Sequence, residues 1–271
     1  MSIEVGDAAT LVAGAVALVT GAGSGVGEAV AAGLAARGMR VALVGRSAEK
    51  LETVRARIAA HGGSSVPLSC DVGNPSQVAD LKRAVLTSLG CPRVLVNAAG
   101  RYGECVPISE SDPLDWAATM QVNLIGAYFV CNAFLKDMVS RGWGRIINVT
   151  SAAALPEPTG VASAYQLSKV GLNHFTRQLA RELEGTRVTA NAIHPGEVKS
   201  RMWEAIRSDA ARRGQSGKGA LDWAAWVERT GGDPPEKTLE RILELLEPEA
   251  DAVSGQFLWI RDGLQKPRPT W

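Results

Sequence analysis

The sequence predicts an α/β fold: a doubly wound parallel β-sheet with helices on both faces, in a single domain covering residues 1–271. Three observations carry this. Short apolar runs alternate with longer helical stretches, the rhythm of strand–helix crossover units. The runs are near-continuously apolar, as strands covered on both sheet faces must be. A glycine cluster, Gly21 to Gly27, joins the first run to the first helical stretch.

Taken in order, strands are expected at residues 15–19, 40–44, 65–69, 94–96, 145–149 and 188–193, with right-handed crossovers between them. Helical stretches fall between them, at residues 26–37, 48–60, 76–89, 113–140 and 164–184. The first apolar stretch, residues 8–20, is too short for a membrane span. Glu4 and Asp7 precede it, so it lacks the basic start of a signal peptide and reads as a buried strand. The rhythm breaks after Ser200, where residues 201–232, rich in charge, Gly and Trp, are expected to form an irregular insertion. Pro234-Pro235 then opens a helix to Leu246, since proline suits a helix's first turn. A last strand is expected at residues 256–260, and the tail, residues 262–271, carries Pro267 and Pro269 and cannot be helical.

Composition excludes several function classes. With 29 Lys+Arg against 28 Asp+Glu the net charge is +1, without the basic excess of a nucleic-acid binder. An apolar fraction of 46% is ordinary for a globular domain. Cys70, Cys91, Cys105 and Cys131 form no CxxC pair and only three histidines are present, so no metal site is expected. Reduced thiols imply a cytoplasmic protein, without a membrane partner.

The glycine cluster reads Thr20-Gly21-Ala22-Gly23-Ser24-Gly25-Val26-Gly27 and lies between a strand and a helix. Glycines there allow a tight turn and close approach of a pyrophosphate, while the helix start offers free N–H groups and its positive dipole end. The Thr-Gly-x-x-x-Gly-x-Gly spacing resembles the classical short-chain dehydrogenase/reductase family. So do Asn97-Ala98-Ala99-Gly100 (with Ala98 where the family has a second Asn), the set Asn123, Ser151, Tyr165 and Lys169, and Pro195-Gly196. The resemblance covers roughly residues 14–200, and Ser254-Gly255-Gln256 is similar to the family's entry into its last strand. It implies a Rossmann-type sheet, hydride transfer between a nicotinamide cofactor and a ketone/aldehyde–alcohol pair, and a homodimer or homotetramer.

On the resemblance, the cofactor contacts are Gly21, Gly23, Ser24, Gly25, Val26 and Gly27 in the loop, and Asp71 and Val72 at the adenine. Asn97, Ala98 and Gly100 lie beside the cofactor, with Asn97 bracing the sheet. Pro195, Gly196, Val198 and Ser200 approach the nicotinamide, with Tyr165 and Lys169 at its ribose. The family's NAD-selective acid is replaced by Gly45, followed by Arg46. A guanidinium can hold a 2′-phosphate bidentately, so NADP(H) is expected over NAD(H), Arg46 as a solvated charge being the alternative.

Tyr165 and Lys169 stand at i and i+4, on one helix face. A phenol has a pKa near 10, too high for a base at neutral pH, and a neighbouring ammonium and nicotinamide cation are expected to lower it. Tyr165 is then the acid/base group. Ser151 is expected to orient the substrate carbonyl, with Thr150 as a rival hydroxyl. The resemblance gives Asn123 a role in holding a water of the proton relay. Glu197 departs from the family's apolar residue and is expected to face solvent, and His194 to pack. In the insertion, read as a substrate lid at residues 201–232, Trp203, Trp223 and Trp226 either line a pocket for a bulky apolar ketone or anchor the lid. Two other functions stay open. One is a catalytically silent NADP(H)-sensing regulator. The other is an acyl-carrier-linked 3-oxoacyl reductase, with Arg207, Arg212, Arg213 and Lys218 as docking cations or simply a solvated face.

Overall fold

The computed structural model describes residues 13–155 and 161–261. Its strands are β1 (Val16–Thr20), β2 (Arg40–Gly45), β3 (Ser64–Ser69), β4 (Val94–Asn97), β5 (Gly144–Val149), β6 (Val188–His194) and β7 (Phe257–Trp259). Its helices are α1 (Gly25–Ala36), α2 (Ala48–Ala60), α3 (Pro75–Ser88), α4 (Pro113–Met120), α5 (Gly126–Ser140), α6 (Ser163–Glu182), α7 (Arg201–Arg212), α8 (Lys218–Thr230) and α9 (Glu236–Leu246). The seven strands form one parallel sheet in the order β3-β2-β1-β4-β5-β6-β7. The expected tail, residues 262–271, lies outside the described residues, as does the start of the first apolar stretch.

Alternate side chains of each central strand feed two separate cores. Ala17 and Val19 pack with Val30 and Leu34 of α1 and Ile242 and Leu245 of α9. Val16 and Leu18 pack with Val85 of α3, Phe134 of α5 and Leu179 of α6. With both faces covered, β1, β2 and β4 are largely apolar, β3 at the sheet edge is only half-buried, and the buried Arg145, Asn148 and Asn191 of β5 and β6 are hydrogen-bonded.

Helix starts are chemically marked. Asn74 Oδ1 accepts from the N–H groups of Ser76 and Gln77, with Pro75 at the first position of α3. Asp112 Oδ1 accepts from Leu114 N–H ahead of α4, again followed by a proline. Each such cap contributes about 1 kcal/mol.

Two expectations are corrected. Residues 113–140 are not one regular helix: a π-helical turn at Gln121–Ile125 separates α4 from α5. The wider turn carries Asn123, whose buried side chain grips the chain at Arg101. By length and composition this whole run could cross a membrane, and here its apolar side, including Val130, Phe134 and Met138, packs on the sheet. Residues 201–232, expected to be irregular, form the helical hairpin α7–α8. Ser200 Oγ accepts from Trp203 N–H at 3.3 Å to start α7. Trp203, Ile206 and Ala210 then fall on one buried face, a stripe that the surrounding charges obscured in the sequence.

The strand order reverses between β1 and β4, which opens a crevice at the carboxyl ends of the strands. Register places Thr20 level with Val44 on one side and Asn97 on the other, so the loops after β1, β2 and β4 all reach the same rim.

Candidate active site

The glycine loop leaves β1 through Gly21, whose φ of 69° is left-handed, and a Cβ there would lie 2.7 Å from Ala98 O. A Cβ on Gly27 would lie 2.4 Å from Gly21 O, so the first turn of α1 folds back against the loop only because the residue is glycine. Ser24 is the N-cap of α1 yet makes no side-chain capping bond. The donors at the start of α1 thus have no side-chain cap and lie at the crevice, the donor set a dinucleotide pyrophosphate needs. Thr20 Oγ1 accepts from Ala98 N–H and Ala99 N–H, each at 3.1 Å, tying the ends of β1 and β4 together.

The remaining expected cofactor residues line the same rim. Asn97 turns inward: its Nδ2 donates to Asn148 Oδ1 at 2.9 Å and to Cys131 Sγ, so its side chain braces the sheet. Asp71 Oδ1 accepts from Gly73 N–H at 2.9 Å, which shapes the turn after β3, and Val72 is buried beside it, against Gly126. Gly100 lies beside Asn123, with the Asn123 Oδ1 3.4 Å from the position a Cβ would take. Arg46 is exposed at the end of β2. Lys50, one turn into α2, runs past the loop, its Cβ 3.2 Å from where a Gly23 side chain would start. In the loop beyond β6 that carries Pro195, Gly196, Val198 and Ser200, Ser200 lies 3.4 Å from a Cβ built on Gly25, while Gly196 backs onto Asp233 and Ile260.

Tyr165 and Lys169 are both buried on the inner face of α6, 9% and 5% exposed. The Ser151 hydroxyl is hydrogen-bonded to the Tyr165 hydroxyl, and Ser151 Oγ also accepts from Ala153 N–H at 3.1 Å. Thr150 points elsewhere, donating to Asn173 Oδ1 at 2.7 Å. Lys169 Nζ donates to Val149 O at 2.9 Å and lies 5.6 Å from the centre of the Tyr165 ring. Asn123 is fully engaged: Oδ1 accepts from Arg101 N–H, while Nδ2 donates to Arg101 O and Ser168 Oγ.

The expected lowering of the Tyr165 pKa calls on two cations, of which the protein itself supplies one. In the protein itself the Tyr165 phenol is pushed up to about 12, because burial outweighs its hydrogen bond to Ser151, and the Glu197 carboxylate adds to the rise. Burial draws the Lys169 ammonium down to about 8. The ammonium alone does not supply the expected lowering.

Three residues that sequence reasoning passed over or misassigned belong to this site. Tyr102, just past Gly100, stacks on Tyr165 with ring centres 4.7 Å apart and planes tilted by 35°. Around this pair lie Cys105, Ala153, Ala162, Met202 and Ala220, an apolar wall. Glu197, expected to face solvent, turns inward and accepts from Trp223 Nε1 of α8 at 2.8 Å. His194 is buried, as a packing residue would be, with the edge of Trp259 at 4.9 Å, but it also has a polar partner. Its Nδ1 accepts from Ala152 N–H at 3.1 Å, next to Ser151. The insertion tryptophans act mainly as anchors. Trp203 packs with Trp223, Ala224 and Val227 between α7 and α8, with Lys199 and Arg207 over its ring. No tryptophan belongs to the apolar cluster around Tyr165 among the described residues.

His194 makes stability pH-dependent. Burial chiefly draws its pKa from 6.5 down to about 4. Below 6.5 the unfolded imidazole binds a proton that the folded one refuses, so this contribution is complete above pH 6.5 and is lost as pH falls toward 4. Urea midpoints across this window are expected to fall by an amount worth about 3 kcal/mol more in the parent than in His194→Asn. Parallel curves for the two proteins would refute this.

Known proteins resemble this chain throughout. The family model for short chain dehydrogenases matches residues 15–211. A D-threitol dehydrogenase from Mycolicibacterium smegmatis is 35% identical over 204 residues, covering 74% of this chain and 78% of that protein. The crystal structure of an actinorhodin polyketide ketoreductase with NADPH superposes with a TM-score of 0.83 at 33% identity, covering 90% of this chain and 95% of that one. An NAD+-bound xylitol dehydrogenase does so with a TM-score of 0.81 at 26% identity, covering 92% and 98%.

Proposed function

This chain belongs to the short chain dehydrogenase family, and from that premise we propose that it interconverts a ketone or aldehyde and an alcohol with NADP(H), using Tyr165 as the acid/base group. The observation that carries this is the convergence of Ser151 and Lys169 on Tyr165. The Ser151 hydroxyl, bonded to the phenol, marks where a carbonyl oxygen can sit between two hydroxyl donors. Tyr165 gives that oxygen its proton in reduction and takes it back in oxidation. Lys169, one turn along α6, favours the phenolate electrostatically. A bound nicotinamide supplies or accepts the hydride. Tyr102 and the apolar wall beside it exclude water from the reacting oxygen and favour a carbonyl with an apolar flank. The hairpin α7–α8 acts as the lid, contributing Met202 and Ala220 to that wall. Purified protein is expected to oxidise NADPH with members of a ketone panel. Tight NADPH binding without turnover on any ketone would favour the sensing regulator.

Preference for NADP(H) rests on Arg46, exposed just past β2, and Lys50, exposed beside Gly23, with Gly45 in place of an acid at the end of β2. The Km for NADPH is expected to lie well below that for NADH. Arg46→Ala should narrow the gap by about 1–3 kcal/mol, the value of one charge-assisted bond. Equal use of both cofactors by the parent would overturn this reading. For the acyl-carrier alternative, Arg213 is held by Asp209 and Glu104, while Arg212 remains largely exposed beside Asp209.

Assembly follows from α5 and α6. Tyr128 is 47% and Leu167 50% exposed, and Tyr128 meets Phe175 edge-on and Phe129 at a tilt of 52°. A face of this kind on a monomer is unusual. A homodimer or homotetramer is expected by light scattering at micromolar concentration, and Tyr128→Glu should dissociate it. A monomeric parent would remove the idea.

A further inference from the structure

The lid and the catalytic serine are joined by a polar chain that crosses the site wall. Trp223 on α8 donates from Nε1 to Glu197 Oε2 at 2.8 Å. The other carboxylate oxygen, Oε1, lies 3.8 Å from His194 Nε2. His194 Nδ1 in turn accepts from Ala152 N–H at 3.1 Å. Ala152 opens the short 3-10 turn Ala152–Ala154, whose N-cap is Ser151. The Glu197 end is fixed from behind: its own N–H donates to Asp233 Oδ2 at 3.0 Å, and Asp233 is held by Arg261 and Lys237.

We infer that Glu197 and His194 are positioning residues through which docking of the lid, by Trp223, sets the Ser151 hydroxyl against Tyr165. An accepting Nδ1 requires the imidazole proton on Nε2, which lies 3.8 Å from the carboxylate, so the charge of Glu197 favours the tautomer that can hold Ala152. Burial keeps the ring neutral at physiological pH, which preserves that acceptor. A lid that closes over substrate thereby tightens the serine at the moment a carbonyl is present, and a lid that opens loosens it. An apolar residue at position 197 would leave both Trp223 Nε1 and His194 Nε2 without this partner.

The inference rests on Ser151 as the orienting hydroxyl, and its test has one arm that does not need turnover. In hydrogen-exchange mass spectrometry of the full chain, the amides of residues 152–155 are expected to exchange roughly tenfold faster in Trp223→Phe, which keeps an aromatic ring in the cluster with Trp203 but lacks the donor. Glu197→Leu and His194→Leu should do the same. His194→Asn, whose side-chain oxygen can replace Nδ1, should restore protection, and Trp226→Phe, on the exposed side of α8, should leave it unchanged. In the kinetic arm, Trp223→Phe is expected to lower kcat for ketone reduction roughly tenfold with the affinity for NADPH unaltered, and to have no further effect when Ser151 is already Ala.

Unchanged exchange at residues 152–155 in Trp223→Phe would overturn the inference. So would a kcat loss that persists in the Ser151→Ala background, because the lid would then act by another route. Should the parent reduce no ketone, the proposed function fails and the exchange arm alone decides the coupling. Should His194→Leu fail to fold, Trp223→Phe and His194→Asn still decide it.

Discussion

Replacing Tyr165 with Phe is expected to lower turnover by about 10²–10⁴-fold while cofactor binding survives. The substitution keeps the ring that stacks on Tyr102 and fills the wall with Cys105, Ala162 and Met202. It removes only the hydroxyl bonded to Ser151. A buried hydroxyl with one partner contributes little net stability, so the thermal midpoint should move by no more than the equivalent of about 1–2 kcal/mol. Stopped-flow NADPH binding and steady-state ketone reduction on the same preparation separate the two effects. Parental turnover in Tyr165→Phe would remove the acid/base assignment and require another group to supply the proton. Ser151→Ala should act in the same direction, mainly on kcat, because the carbonyl loses its second donor while the phenol remains.

What the sequence disclosed and what it hid divide along a physical line. The central strands β1, β2 and β4 were legible because burial on both faces makes them largely apolar, and that requires no knowledge of their neighbours. The glycine loop was legible because close backbone approach admits one residue type, as the contacts of Gly21 and Gly27 demonstrate. Tyr165 and Lys169 were legible because helical spacing alone puts them together. The π turn at Gln121–Ile125 was hidden, since one extra residue in a helical turn leaves the apolar pattern intact and is fixed by a tertiary grip of Asn123 on Arg101. Glu197 was misread for a similar reason. Its partner Trp223 lies 26 residues away on α8, and a carboxylate beside a Pro-Gly turn reads as solvated until that partner is known. Tyr102 carries no local signal at all: only the packing of the loop after β4 against α6 brings it onto Tyr165.

Replacement of Lys169 with Met is expected to separate function from stability most sharply. The ammonium is 5% exposed, donates to Val149 O at 2.9 Å, and is drawn from 10.5 down to about 8 by burial. The unfolded lysine therefore binds its proton more strongly than the folded one. Stability rises with pH between 8 and 10.5, and below 8 the folded state carries the full burden of a desolvated charge. That burden amounts to about 3 kcal/mol. Methionine fills the same volume without charge, which relieves it, while the abandoned Val149 carbonyl returns about 1–3 kcal/mol of cost. The two nearly cancel, so Lys169→Met should remain folded at pH 7 with a urea midpoint close to the parent's. Its stability should also lose the parental rise between pH 8 and 10.5. Function should not survive so well. The phenol, already pushed up to about 12 in the protein alone, loses the ammonium that lies 5.6 Å from its ring centre, a charge whose proximity favours the ionised form. Alcohol oxidation is expected to fall by about 10²–10⁴-fold, its rising limb moved to higher pH. NADP(H) binding should weaken as well, by about 1.5–3 kcal/mol if the ammonium also bonds the nicotinamide ribose. A variant with parental turnover and an unshifted pH limb would show that Lys169 is held in the site only to satisfy Val149.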